Sequence, residues 1–182
     1  MLALELRQFA GEGLKTIVPM VYGQTEEARQ RKGTGAPKHQ WDEESVLAGI
    51  GSRVGPEAQR AAERIAQWMK AHADRVWFGS GSQDGSMGMT IVAPDGNNYY
   101  PIAIWSYGRI EIRFQHLLKG PFESEEKRRD LLGRLNEIDG IRLSPDSITL
   151  RPSIPTAALS TGTRVDSFLQ VMGWLVEELK AG

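Results

Sequence analysis

At 182 residues, 40% of them hydrophobic, the chain is long enough to bury one core with a small appendage and too short for two large domains. A formal net charge of -1 with 25% charged residues excludes the global basic excess of a dedicated nucleic-acid binder, so such binding would rest on a local patch. The lack of cysteine removes disulfides, thiolate metal sites and a cysteine nucleophile. No apolar run approaches the roughly 18 residues of a membrane span and MLALELRQFAGEG lacks a signal-peptide pattern, so a cytoplasmic protein with no membrane partner is expected.

In chain order, Leu2, Leu4 and Leu6 alternate as in a strand, while Leu2, Leu6 and Phe9 equally fit a helix face. Leu14, Ile17, Val18 and Val21 are helically spaced around Pro19, which predicts a short or kinked helix, and Thr25 before Glu26 and Glu27 reads as a helix start. Arg29 to Gln40 (RQRKGTGAPKHQ) carries four basic residues and no acid, with two glycines and a proline, as a flexible linker would. Residues 1–40 are thus expected to be a helical N-terminal arm and basic linker, and residues 41–182 the main domain.

Asp42 before Glu43 and Glu44 predicts a capped helix closed by Gly49 to Gly55, and Pro56 suits the first position of a second helix ending near Ala73. The apolar stripe of that second helix is Ala58, Ala61, Ala62, Ile65, Ala66 and Met69, with His72 on the same side. The period then becomes alternating, with strands expected at Arg75 to Gly79, Met87 to Ala93, Tyr99 to Trp105 and Arg109 to His116. Asp95-Gly96 and Tyr107-Gly108 are turn signals, and turns this short demand an antiparallel meander.

Taken as a two-residue loop, Tyr107-Gly108 pairs Trp105 with Ile110 and Ala103 with Ile112. Those four and Phe114 then face the core, and Ile104, Glu111, Arg113 and Gln115 face away. Ser124 starts a further helix whose Leu131, Leu132, Leu135 and Ile138 point inward, with Lys127, Arg128 and Arg134 elsewhere around it, and Gly140 stops it. Ser147 to Leu150 is a candidate sheet edge, and Thr163 to Lys180 is an amphipathic helix. The expected fold is α+β: a four-stranded antiparallel meander packed on helices, with a helical N-terminal arm.

From Trp41 onward the chain resembles an uncharacterised bacterial domain family. The likeness is carried by VWFGSGSQDGS (Val76 to Ser86), YYPIAIWSYGRIEIRFQHL (Tyr99 to Leu117), RRDLLGRLNEIDGI (Arg128 to Ile141) and RPSIP (Arg151 to Pro155). Its members look like C-terminal regions of longer nuclease-like or DNA-associated proteins. The resemblance implies a setting in DNA defence or repair and assigns no catalytic residue.

Among the residues themselves, the loop GSGSQDGS offers backbone N–H groups and the hydroxyls of Ser80, Ser82 and Ser86 to an anion, beside Trp77. A polar hairpin loop is the ordinary explanation, and no P-loop ending in Gly-Lys-Ser/Thr is present. Asp84 and Glu111 are the candidate catalytic acids. With Glu111-x-Arg113 they invite comparison with Mg²⁺-dependent nucleases, against which stand the loop position of Asp84 and the lack of a proton-transferring lysine.

Arg109, Arg113 and Arg128, with the neighbouring helix cations, are candidates for phosphate contacts, although interleaved acids favour intrahelical pairs. The five tryptophans read chiefly as core, with Trp105 inward. The leading expectation is a non-catalytic binding or assembly module that takes nucleic acid or another protein domain and uses no cofactor. The alternatives are a Mg²⁺-dependent phosphodiesterase and a self-associating homo-oligomer module.

Overall fold

The computed structural model describes residues 3–11, 14–22 and 39–182, which fall into two compact units, Met1–Lys38 and His39–Gly182. The first contains β1 (Ala3–Gly11) and β2 (Leu14–Tyr22), an antiparallel pair in which Leu4 faces Val21, Leu6 faces Pro19 and Phe9 faces Thr16. The helical arm is therefore corrected to a β-hairpin. Thr16, Ile17, Val18 and Val21 are β-branched and stiff at χ1, and Pro19 is tolerated because each strand of a lone pair is an edge. The helix start at Thr25 and the basic residues Arg29 to Lys38 lie outside the described residues.

The second unit begins with β3 (His39–Gln40), α1 (Glu43–Arg53) and α2 (Pro56–His72). His39 and Gln40, expected in the linker, pair instead with Gly81 and Ser80 of β5 (Ser80–Gly81). Asp42 caps α1 through a reciprocal box with Ser45, its Oδ1 accepting from Ser45 N at 2.8 Å and its own N–H donating to Ser45 Oγ at 3.0 Å. Gly49 and Gly51 lie within α1. A Cβ at Gly49 would meet the Ser106 backbone and Cβ at 3.0 Å, so glycine there admits close approach to the sheet's hairpin. His72 lies exposed and stacked on Trp68, ring centroids 4.4 Å apart, and not on the inner stripe.

One antiparallel sheet is built from β4 (Arg75–Phe78), β6 (Ser86–Val92), β7 (Asn98–Tyr99), β8 (Ile102–Trp105), β9 (Arg109–Ile112) and β10 (Ser153–Pro155). Its order is β10-β9-β8-β6-β4, with β7 also on β6. The expected meander is present, enlarged to six strands. Tyr100-Pro101 interrupts the third expected strand, because proline cannot donate to the ladder. The extra edge is Ser153–Pro155, whereas Pro145–Thr149 coils into a 3₁₀ turn capped by Ser144. Phe114–His116, expected to finish the fourth strand, is likewise a 3₁₀ turn.

The largest correction is one of register. The β8-β9 loop has three residues, Ser106, Tyr107 and Gly108, closed by Gly108 N donating to Trp105 O at 2.9 Å with Gly108 at φ 82°. Trp105 therefore pairs with Arg109, Ile104 with Ile110, Ala103 with Glu111 and Ile102 with Ile112. This one-residue slip exchanges the faces of β8 and leaves Ile110 and Ile112 of β9 inward as expected. Ile102, Ile104, Ile110 and Ile112 enter the core, while Trp105 and Ala103 join Glu111 on the other side.

On the inner face, Met87, Met89 and Ile91 of β6 and the four β8-β9 isoleucines pack in one cluster with Ile50 of α1 and the stripe of α2. The cluster also takes in Leu131, Leu132 and Leu135 of α3 (Glu125–Asn136) and Phe168, Met172, Leu175 and Leu179 of α4 (Arg164–Ala181). Each fully buried aliphatic side chain contributes about 1.5–3 kcal/mol, and the alanines of α2 allow its close approach.

Candidate functional site

The helices leave the opposite face of the sheet to its own side chains. Cross-strand pairing places Arg75 and Trp77 of β4 beside Thr90 and Gly88 of β6, and Ser86 beside Trp105. Arg109 and Glu111 follow on β9, and Ser153 faces Glu111 from β10. Arg113 and Arg151 extend these two strands on the same side.

The middle of this face is a polar and aromatic cluster. Glu111 accepts from Trp105 Nε1 at 3.1 Å and lies 3.2 Å from Arg113 Nε and 3.9 Å from Arg151. The Arg113 pair has ion-pair distance without hydrogen-bond alignment, and the buried Arg113 Nε has no hydrogen-bond partner among the described residues. The Glu111 and Arg113 side chains are only 13% and 14% exposed. Burial draws the Arg113 guanidinium below its ordinary pKa and Glu111 opposes that. The Arg113 guanidinium lies 5.5 Å from the centre of the Trp77 ring, and that indole rests on Gly88, where a Cβ would overlap Trp77 Cζ2. Trp77 Nε1 is a second buried donor without a partner among the described residues.

At the hairpin end, Trp105 and the exposed Tyr107 lie 5.5 Å apart at 30°. Burial raises the Tyr107 pKa, helped by the charges of Glu111 and Asp84.

The other candidates are placed differently. The glycine-serine loop is a clamped turn. Gly79 N donates to Ser86 O at 2.8 Å and Gly85 N to Ser106 Oγ at 3.0 Å, while the Trp41 indole covers Gly85 and gives Nε1 to Gly81 O at 3.0 Å. Two of the loop's N–H groups, those of Gly79 and Gly85, are thereby used within the fold. Ser86 is buried, and Ser80 and Ser82 are exposed.

Asp84 is ion-paired to Arg53, the last residue of α1. Among the described residues no group of three or more His, Asp or Glu side chains is placed to hold a metal ion. Arg109 braces the sheet edge, its Nε donating to Ser153 Oγ at 3.0 Å and its Nη2 to Ser153 O at 2.7 Å. Arg128, expected on an outer ridge, is buried on α3 and ties Nη1 to Phe122 O and Glu123 O at 2.7 and 2.5 Å. It is a structural pin and belongs to no surface patch.

The sequence placed Glu111 and Arg113 on this face and offered Trp77 and Arg109 as binding candidates without assigning them to it, and it missed Arg75, Trp105, Tyr107 and Arg151. Alternation from Glu111 would have found Trp105 once the loop was counted as three residues. Arg151 required the pairing of β10, which no periodicity announces. Among the described residues no helix is long and apolar enough to cross a membrane. Comparison of the chain with protein-family models, with curated proteins and with solved structures finds no match in any of the three.

Proposed function

We propose that the His39–Gly182 unit is a non-catalytic binding module that receives nucleic acid on the outer face of its sheet, in a bacterial DNA-related pathway of defence or repair. One observation carries the reading. Arg75, Arg109, Arg113 and Arg151 stand on or beside the face away from the helices, and Glu111 is the one acid on the six strands. Trp105 and Tyr107 add an aromatic edge to it. A local excess of guanidinium groups next to partly exposed rings suits phosphates and unstacked bases, in a chain whose total charge is close to neutral. The DNA setting comes from the motif resemblance, which is analogy.

The test is fluorescence anisotropy of single-stranded and duplex DNA over a salt series. Binding should weaken with rising salt, with a log-log slope of about -2 to -4 for a few phosphate contacts. Arg151→Glu, on a half-exposed side chain with no hydrogen bond among the described residues, should weaken binding about tenfold or more and flatten the slope by about one to two. No binding at low salt, or binding indifferent to Arg75→Glu and Arg151→Glu, overturns the proposal.

A further inference from the structure

Where β7 and the 3₁₀ turn after β9 come together, the unit has a small cavity of about 180 Å³ lined by Asn98, Tyr100, Gln115, His116, Leu118 and Lys119. The lining contains no carboxylate. Its polar groups are the Lys119 ammonium, an imidazole, a phenol and two amides, a set dominated by donors. Arg75 Nη2 donates to Asn98 Oδ1 at 3.2 Å, so the carbonyl side of that amide is occupied and its NH₂ is left for a ligand. Lys119 Nζ is placed by Asn97 Oδ1 at 3.2 Å and by the Tyr99 ring, 5.1 Å to its centre. Asp95, outside the lining, accepts from Asn97 N at 2.8 Å and Asn97 Nδ2 at 2.6 Å, and its charge also acts on Lys119. The volume admits one tetrahedral oxyanion with a few waters of about 30 Å³ each.

We infer that this cavity is a binding site for a single phosphate group, held by Lys119, His116, Gln115 and Asn98 and switched by the protonation of His116. The inference rests on the nucleic-acid reading only for the source of the phosphate, since the cavity adjoins the arginine face through Arg113 and His116.

The switch follows from what surrounds the imidazole. Tyr100 meets it edge-on at 5.6 Å between ring centres, and Gln115 Nε2 lies 3.2 Å from His116 Nε2, an amide donor facing an unprotonated ring nitrogen. The charges acting on it are Arg113, Arg151 and Lys119, which disfavour the imidazolium, and Glu111, which favours it. Burial is the largest cause holding its pKa below the ordinary histidine value, and the two arginines add to it. These surroundings favour the neutral histidine at neutral pH. A bound anion supplies the missing negative charge, so binding takes up a proton and strengthens as pH falls through the histidine range.

The full chain is titrated with inorganic sulfate, doubly charged throughout, and followed by calorimetry and by amide NMR shifts between about pH 7.5 and 5.5. Affinity should rise about tenfold towards the acid end, one pKa unit being tenfold in affinity, with shifts centred on residues 98–100 and 115–119. His116→Ala should remove the pH dependence, and the exposed Lys119→Ala should weaken binding at both ends. Sulfate shifts elsewhere, or an unchanged pH profile in His116→Ala, overturn the inference.

A second arm compares a 5′-phosphorylated oligonucleotide with its 5′-hydroxyl counterpart, in competition with inorganic phosphate. Preference for the phosphorylated strand assigns the site to strand ends, and tight inorganic phosphate without that preference assigns it to the free ion. DNA binding on the outer face without any sulfate response sinks this inference alone. A sulfate response without DNA binding sinks the reading of the face and leaves the cavity's role standing.

Discussion

Glu111 is the residue on which the outer face turns, because one carboxylate serves Trp105, Arg113 and Arg151 together. Glu111→Gln keeps an oxygen for Trp105 Nε1 and removes the counter-charge of a guanidinium that is mostly buried. Stability should fall by about 1–3 kcal/mol, short of the loss from a fully enclosed pair because water still reaches this one. Nucleic-acid affinity should move the other way, rising several-fold as the face gains a net positive charge. Urea denaturation and anisotropy on one preparation read both effects. A variant that loses affinity along with stability would mean that Glu111 touches the ligand, as a catalytic or metal-binding acid would.

Among the elements, the β8-β9 hairpin shows what turn chemistry alone cannot decide. Tyr107-Gly108 is a valid turn signal, but Ser106 also belongs to the loop, its N–H donating to Gly85 O at 2.9 Å and so tying the hairpin to the glycine-serine turn. Ile102, Ala103, Ile104 and Trp105 are all apolar, so hydrophobic alternation could not choose between the two registers. The strand positions and the facing of β9 were legible, and the facing of β8 was not. Gly96 and Gly108 both have positive φ, 79° and 82°, yet a Cβ at Gly96 meets nothing within 4 Å whereas one at Gly108 overlaps Val54 Cγ2. Gly96→Ala should therefore cost only backbone strain, about 1–2 kcal/mol. Gly108→Ala adds displacement of Val54 and should cost about 1 kcal/mol more. Equal losses in thermal denaturation would show that the α1-sheet contact at Val54 yields freely.

Across the whole chain, the helices and the meander of the second unit could be read from periodicity and capping, since the Asp42, Pro56 and Ser124 starts and the apolar stripes of α2, α3 and α4 agree with one another. What escaped was non-local or short. β10 is three residues that follow one proline and end on another, and β3 is two residues whose pairing with β5 depends on a contact about forty positions away. That contact sets where the unit begins. His39 and Gln40 hold β5, Trp41 covers Gly85 and reaches Gly81, and together they fix the loop that positions Ser86 and the hairpin end. A fragment spanning residues 39–182 should keep the slow hydrogen exchange of β8 and β9 found in the full chain. One spanning residues 43–182 should be less stable by about 2–4 kcal/mol, mainly from loss of the half-buried Trp41 indole. In the shorter fragment, amide protection should vanish first at Gly79 and Gly85, while the inner isoleucines Ile104 and Ile110 remain protected up to global unfolding. Equal stability of the two fragments would mean that the loop is held by its own bonds to Ser86 and Ser106, and that the tryptophan before α1 contributes nothing to the geometry of the outer face.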